Sequence, residues 1–137
     1  MEDTRFHLEI ITPEKILISE DVDSIELPGE QGEFQVLTGH TPFLTTLRIG
    51  PIIITKGVKK SFVSISGGYC EVLPNKTTIL AHTAETADKI DKARAETARK
   101  RAEKRLEDAA KDMTIDEARA KLALLRALNR LNTTKMK

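Results

Sequence analysis

The chain has little that could cross-link it, stack nucleic-acid bases or hold it in a membrane. Its one cysteine, Cys70, allows no internal disulfide and no cysteine metal cluster; a small buried strand residue is expected there. Tryptophan is absent and aromatics are 4% of residues. Acids are also scattered among the arginines, so a nucleic-acid surface with aromatic interleaving is not expected. No apolar run approaches the roughly 20 residues of a transmembrane helix, so a soluble chain is expected. The opening M-E-D-T-R-F-H lacks a signal or transit pattern, and no removable leader is expected. His7, His40 and His82 are far apart and have no ligand spacing. There is no G-x-x-x-x-G-K-[ST] loop, and the glycines of L-P-G-E-Q-G-E-F read as turns. Ser61, Ser64 and Ser66 lack a nucleophile-elbow context. Without a nucleophile, base pair or metal set, no catalytic site is expected.

What the chain does have is charge, unevenly placed. Residues 1–84 hold 7 Lys/Arg against 11 Asp/Glu, a net of −4, and residues 85–137 hold 15 against 10, a net of +5. An acidic front and a basic tail predict two modules, 1–84 and 85–137, with different partners. The basic tail suits an acidic protein surface or a nucleotide.

The front reads as all-β. Residues 5–12 alternate, with Phe6, Leu8 and Ile10 on the inner face. Short extended runs follow at Ile16–Ile18, Val22–Leu27, Phe34–Leu37, Phe43–Ile49, Ile52–Ile54, Phe62–Ile65, Tyr69–Leu73 and Thr77–His82. Pro28-Gly29, Gly50-Pro51, Gly67-Gly68 and Pro74-Asn75 punctuate them. Short strands with such punctuation predict a sandwich or barrel.

After Glu85 the composition turns to Ala, Lys, Arg and Glu, strong helix formers. A helix is predicted from about Asp88, with a stripe at Ala95, Ala98, Ala102, Leu106 and Ala109. A second is predicted from the capping box Thr114-Ile115-Asp116-Glu117, with a leucine-rich face at Leu122, Leu124, Leu125, Leu128 and Leu131. A short link over 108–114 forces an antiparallel pair. The stretch 90–106 also returns 25 residues later as 115–131, with ten of 17 positions identical.

Both copies carry arginines on one face: Arg94, Arg101 and Arg105, then Arg119, Arg126 and Arg130. Two readings stay open from periodicity alone. The arginines could form a solvated face with short-range ion pairs such as Arg99 with Glu103 at i,i+4, and Glu107 with Lys104 or Arg105. Alternatively, planar guanidinium groups brought together make a cationic groove suited to phosphate, which closes over an anion and otherwise opens by self-repulsion. Asp91 and Asp116 could serve only the helix dipole.

Two motifs add to this. L-P-G-E-Q-G-E-F-Q-V-L-T-G-H-T-P-F-L-T (27–45) and G-G-Y-C-E-V-L-P-N-K-T-T-I-L-A (67–81) resemble the signatures of the epsilon subunit of bacterial F-type ATP synthases. Gln35 and Thr38 depart from the common glycine and proline. The resemblance covers the whole chain. It implies an N-terminal antiparallel β-sandwich of about ten strands, followed by a C-terminal antiparallel two-helix hairpin. It implies a non-catalytic rotor-stalk subunit that contacts gamma and the c-ring, with Glu33 and His40 at that interface. It implies inhibition of ATP hydrolysis by helices that extend toward the alpha and beta subunits, on the cytoplasmic face of the bacterial plasma membrane, without a transmembrane segment. No obligatory cofactor is implied, but ATP is, as a regulatory ligand. Ile90-Asp91-Lys92-Ala93-Arg94-Ala95 matches the family's [IL]-D-x-x-R-A motif. By that match Arg94, Arg101, Arg126 and Arg130 would contact phosphates, Ile90 and Ala95 would pack near the adenine, and Asp91 and Glu85 would accept hydrogen bonds. The copy at Ile115–Ala120 is not that motif and reads as a repeated helix start. The alternative is a structural coupling subunit whose hairpin binds no nucleotide.

Overall fold

A computed structural model describes residues 4–136. Eight strands form the front: β1 (Phe6–Ile11), β2 (Ile16–Val22), β3 (Ser24–Gly29), β4 (Gly32–Leu37), β5 (Phe43–Lys56), β6 (Lys59–Leu73), β7 (Lys76–Ala81) and β8 (Ala84–Thr86). Two helices follow, α1 (Lys92–Ala109) and α2 (Glu117–Lys135), with one 3-10 turn, Ala87–Lys89, before α1. The strands hydrogen-bond in the order β2-β1-β7-β6-β5-β3-β4, with β8 on β6. Neighbours run antiparallel except β1 and β7, which are parallel. One core draws Phe6, Leu8, Ile10 and Val22 from one end of this order and Ile25, Leu27 and Val36 from the other. The sheet therefore folds over on itself in two layers, a β-sandwich.

Alternation decides which side chains enter that core. Phe6, Leu8 and Ile10 are 2%, 0% and 0% exposed, while His7, Glu9 and Ile11 face outward. At about 25 cal/mol per Å² of apolar surface, such fully buried side chains each contribute roughly 1.5–3 kcal/mol. Cys70 is buried as expected, and desolvation, with a smaller push from Glu71, raises its thiol to about 12.

Three sequence expectations are corrected. The predicted breaks at Gly50-Pro51 and Gly67-Gly68 lie inside the long strands β5 and β6, so four expected runs become two strands. Pro51 is tolerated because the β3/β5 ladder shifts register there, skipping from Ile53 to Leu47. Gly68 has φ 153°, and a Cβ there would lie 2.1 Å from the Leu80 carbonyl oxygen; its lack of a side chain lets β6 bend against β7. Second, Val22 ends β2 and does not open β3. Asp23 makes that corner, accepting from the Gly57 N–H and from Arg5. Third, α1 begins at Lys92, not near Asp88. Residues 87–89 wind as the 3-10 turn, and Ile90 and Asp91 are extended.

Candidate functional site

The hairpin is built on the sequence repeat. Asp91 and Asp116 are the N-caps of α1 and α2, and their carboxylates accept from the Arg94 and Arg119 N–H at 3.0 and 3.1 Å. Each I-D-x-x-R-A is thus a helix start with its capping aspartate in the second place. The expected capping box fails. Thr114 lies two residues before the cap and donates its hydroxyl to Asp112 at 2.7 Å. The Asp116 carboxylate takes the place the threonine was expected to fill.

The repeated alanines make the seam. Ala95 and Ala102 on α1 and their copies Ala120 and Ala127 on α2 are 1–3% exposed. Small residues let the two helices approach closely while burying little area. The leucines of α2 do the opposite: Leu122, Leu125 and Leu128 are 45%, 52% and 36% exposed. The expected pairing of Arg99 with Glu103 is present, and Arg99 also bridges Glu96.

Helix α2 lies over β5 and β6. The buried Asn129 holds it there, its Nδ2 donating to Ser64 Oγ at 2.9 Å and to the Ile65 carbonyl at 3.2 Å. One turn on, the buried Thr133 donates to the Asn129 carbonyl at 2.7 Å. Beside them Arg130 reaches Glu85 on β8 at 2.6 Å. Hence α2 is tied to the sandwich by one buried amide and one half-exposed ion pair.

Three cavities meet at the Glu85–Arg130 pair. One, of about 220 Å³, is lined by Glu85, Lys89, Ile90, Asp91, Arg94 and Arg130. A second, of about 360 Å³, is bounded by Arg126 and Arg130 of α2 on one side and by Ser64, Ser66, His82, Thr83 and Glu85 of the sandwich on the other. A third, of about 210 Å³, opens toward Thr12–Lys15. Six of the eight residues singled out for ATP therefore gather at the base of the hairpin: Glu85, Ile90, Asp91, Arg94, Arg126 and Arg130. Two do not. Ala95 is 1% exposed, in the seam between the helices. Arg101 lies two turns along α1 from Arg94, about 10 Å away, and lines a different cavity at the hairpin tip. At the base, lysine and arginine outnumber the acids, and Glu85 and Asp91 are already engaged by Arg130 and the α1 N-terminus.

Sequence reasoning missed Asn129, Ser64, Ser66, His82, Thr83 and Lys89. Asn129 had a usable signal, an amide set between the leucines Leu128 and Leu131. The others come from the sandwich wall or the 3-10 turn and meet the arginines only through tertiary packing. Two histidines also make local contacts: His7 lies 2.9 Å from Asp21 and 3.1 Å from Ser19, and the His82 ring stands edge-on to Tyr69. Glu33 is exposed and pairs with Arg48 at 3.3 Å, while His40 contacts the Thr41 carbonyl at 2.6 Å and lies 6.4 Å from the Phe43 ring.

A β-sandwich that carries a docked helical hairpin, with polar side chains gathered on the joint between them, defines a two-module protein. Residues 5–87 match the family model described as ATP synthase, Delta/Epsilon chain, beta-sandwich domain, and residues 88–135 match its long alpha-helix domain. The ATP synthase epsilon chain of Nitratidesulfovibrio vulgaris is 48% identical over 125 residues, covering 91% of this chain and 92% of that one. That of Syntrophobacter fumaroxidans is 49% identical over 127 residues, 93% of each. A chain in the structure of Euglena gracilis mitochondrial ATP synthase superposes with a TM-score of 0.80 at 22% identity, over 93% of this chain and 79% of that one, and shares the fold. The chain belongs to the ATP synthase epsilon chain family, and is accordingly a non-catalytic stalk subunit. No helix among the described residues is long and apolar enough to cross a membrane.

Proposed function

We propose that this subunit couples the c-ring and gamma to the catalytic head and restrains ATP hydrolysis through its two helices, with ATP on the folded hairpin as the switch. The observation that carries the reading is the convergence of Arg94, Arg126 and Arg130, from two helices, on adjoining cavities beside Glu85. The residues fit a nucleotide in charge, in volume and in their mix of donors with the apolar Ile90. Phosphate would compete with Glu85 for Arg130 and neutralise the repulsion among the arginines, favouring the closed hairpin. Release is favoured by the thin alanine seam, and the exposed Leu122, Leu125 and Leu128 then serve a second, extended docking toward alpha and beta. Glu33 and His40 belong, in this reading, to the face toward gamma and the c-ring. The complex holds the subunit peripherally at the cytoplasmic face of the bacterial membrane.

Calorimetry on the isolated chain tests the switch. Arg94→Ala or Arg126→Ala should weaken ATP binding at least tenfold, as loss of a charged contact of about 1.5–3 kcal/mol implies; unchanged affinity in both rejects the site. A second reading, a coupling subunit without nucleotide, is favoured by the engagement of Asp91 as a cap and of Glu85 by Arg130. Backbone NMR shifts that stay fixed during an ATP titration would select it.

A further inference from the structure

The repeat has a geometric consequence. Adding 25 to a residue number on α1 gives its copy on α2, and in an antiparallel hairpin that operation approximates a two-fold axis between the helices. The base cavity is lined by Ile90, Asp91, Arg94 and Arg130. Their mates under this operation are Ile115, Asp116, Arg119 and Arg105, and all four line a single cavity of about 470 Å³ at the hairpin tip. Arg101, the mate of Arg126, lines it too.

We infer that the tip cavity is a second anion site, formed by Arg101, Arg105 and Arg119 and selective for a pyrophosphate-type group. Among the described residues these three side chains make no ion pair, and their heads are exposed. The acid beside them, Asp116, is engaged as the α2 cap. Three unpaired guanidinium groups in one concavity focus a positive potential, and the N-terminus of α2 adds to it. The two sites differ in one instructive place. The mate of Glu85 is Ala110, so the carboxylate at the tip is that of Asp116, which the α2 N-terminus already holds. The sandwich wall of Ser66, His82 and Thr83 has no counterpart at the tip either. The base can thus discriminate a nucleotide, whereas the tip answers to linked phosphates alone. Only the choice of phosphate as ligand rests on the proposed function; the cluster stands on its own geometry.

NMR titration of the full chain with sodium pyrophosphate, followed by ATP in a parallel sample, tests this. Saturable shifts are expected at the backbone amides and Nε–H groups of Arg101, Arg105 and Arg119. The apparent Kd should rise at least tenfold in R105Q/R119Q, whose exposed side chains can be replaced without loss of a pairing partner; circular dichroism checks that the helices persist. Absence of a saturable tip response, an unaltered Kd in that variant, or a response to an oligoglutamate peptide and not to pyrophosphate would each overturn the site. The arms are separable. A tip response to pyrophosphate without shifts of Arg94 and Arg130 under ATP leaves this site standing and removes the nucleotide switch, and the converse pattern removes only this site.

Discussion

Asp23 carries more of the sandwich than its place between two strands suggests. Its carboxylate accepts from the Gly57 N–H and from Arg5, which together hold it below the usual aspartate range. A carboxyl depressed in the folded state contributes stability above its unfolded pKa, and loses that contribution as pH falls through its folded pKa. Asp23→Asn should therefore be less stable at pH 7, with the gap to the unsubstituted chain narrowing below about pH 4. Urea midpoints at pH 7 and pH 3 measure this, and a gap independent of pH would count against it. Glu9 is held low in the same way by Lys76, at 2.9 Å, so part of the acid sensitivity survives the substitution.

The two helices invite comparison because they begin alike. Each aspartate cap satisfies one of the donors an N-terminus leaves open, so Asp91→Ala and Asp116→Ala should each cost about 1 kcal/mol. The consequences should differ. Asp116 caps a helix that packs on β5 and β6 through Asn129, whereas α1 reaches the rest of the molecule chiefly through the alanine seam. Hydrogen exchange should show the loss at Asp91 spreading along α1, and the loss at Asp116 confined to the first turn of α2. Equal spread in both helices would show that docking on the sheet does not protect α2. The strands show another effect of context. Gly50-Pro51 and Gly67-Gly68 are ordinary break signals, yet β5 and β6 run through them, because a two-layer sheet needs long strands that bend from one layer to the other.

At the scale of the whole molecule, two modules of unequal cohesion are joined by few contacts. The sandwich has a continuous apolar core, while the hairpin has alanines, one buried amide anchor and the Glu85–Arg130 pair. Asn129→Ala leaves Ser64 without its donor and should destabilise docking by about 1–3 kcal/mol. Exchange protection should then fall in α1 and α2 while the amides of β1, β6 and β7 keep theirs. Uniform loss in both modules would mean that they unfold as one unit.

The sequence alone determined the features that depend on local periodicity. Alternation at Phe6, Leu8 and Ile10 assigned the first strand and its inner face, and the 3-4 spacing from Ala95 to Ala109 assigned the buried stripe of α1. The charge shift near residue 85 marked where strand-like composition gives way to helix formers, and the repeat announced a hairpin. Tertiary structure decided what depends on distance through space. It brought Glu85 to Arg130 and Ser64 to Asn129, and set Arg101 in the tip cavity, apart from Arg94 and Arg126. The physical reason is that helical spacing fixes a side chain's angle around its own axis, but not which residues on a second helix or sheet stand opposite. That pairing is set by the antiparallel packing of the alanine seam and by the seat of α2 on the sandwich.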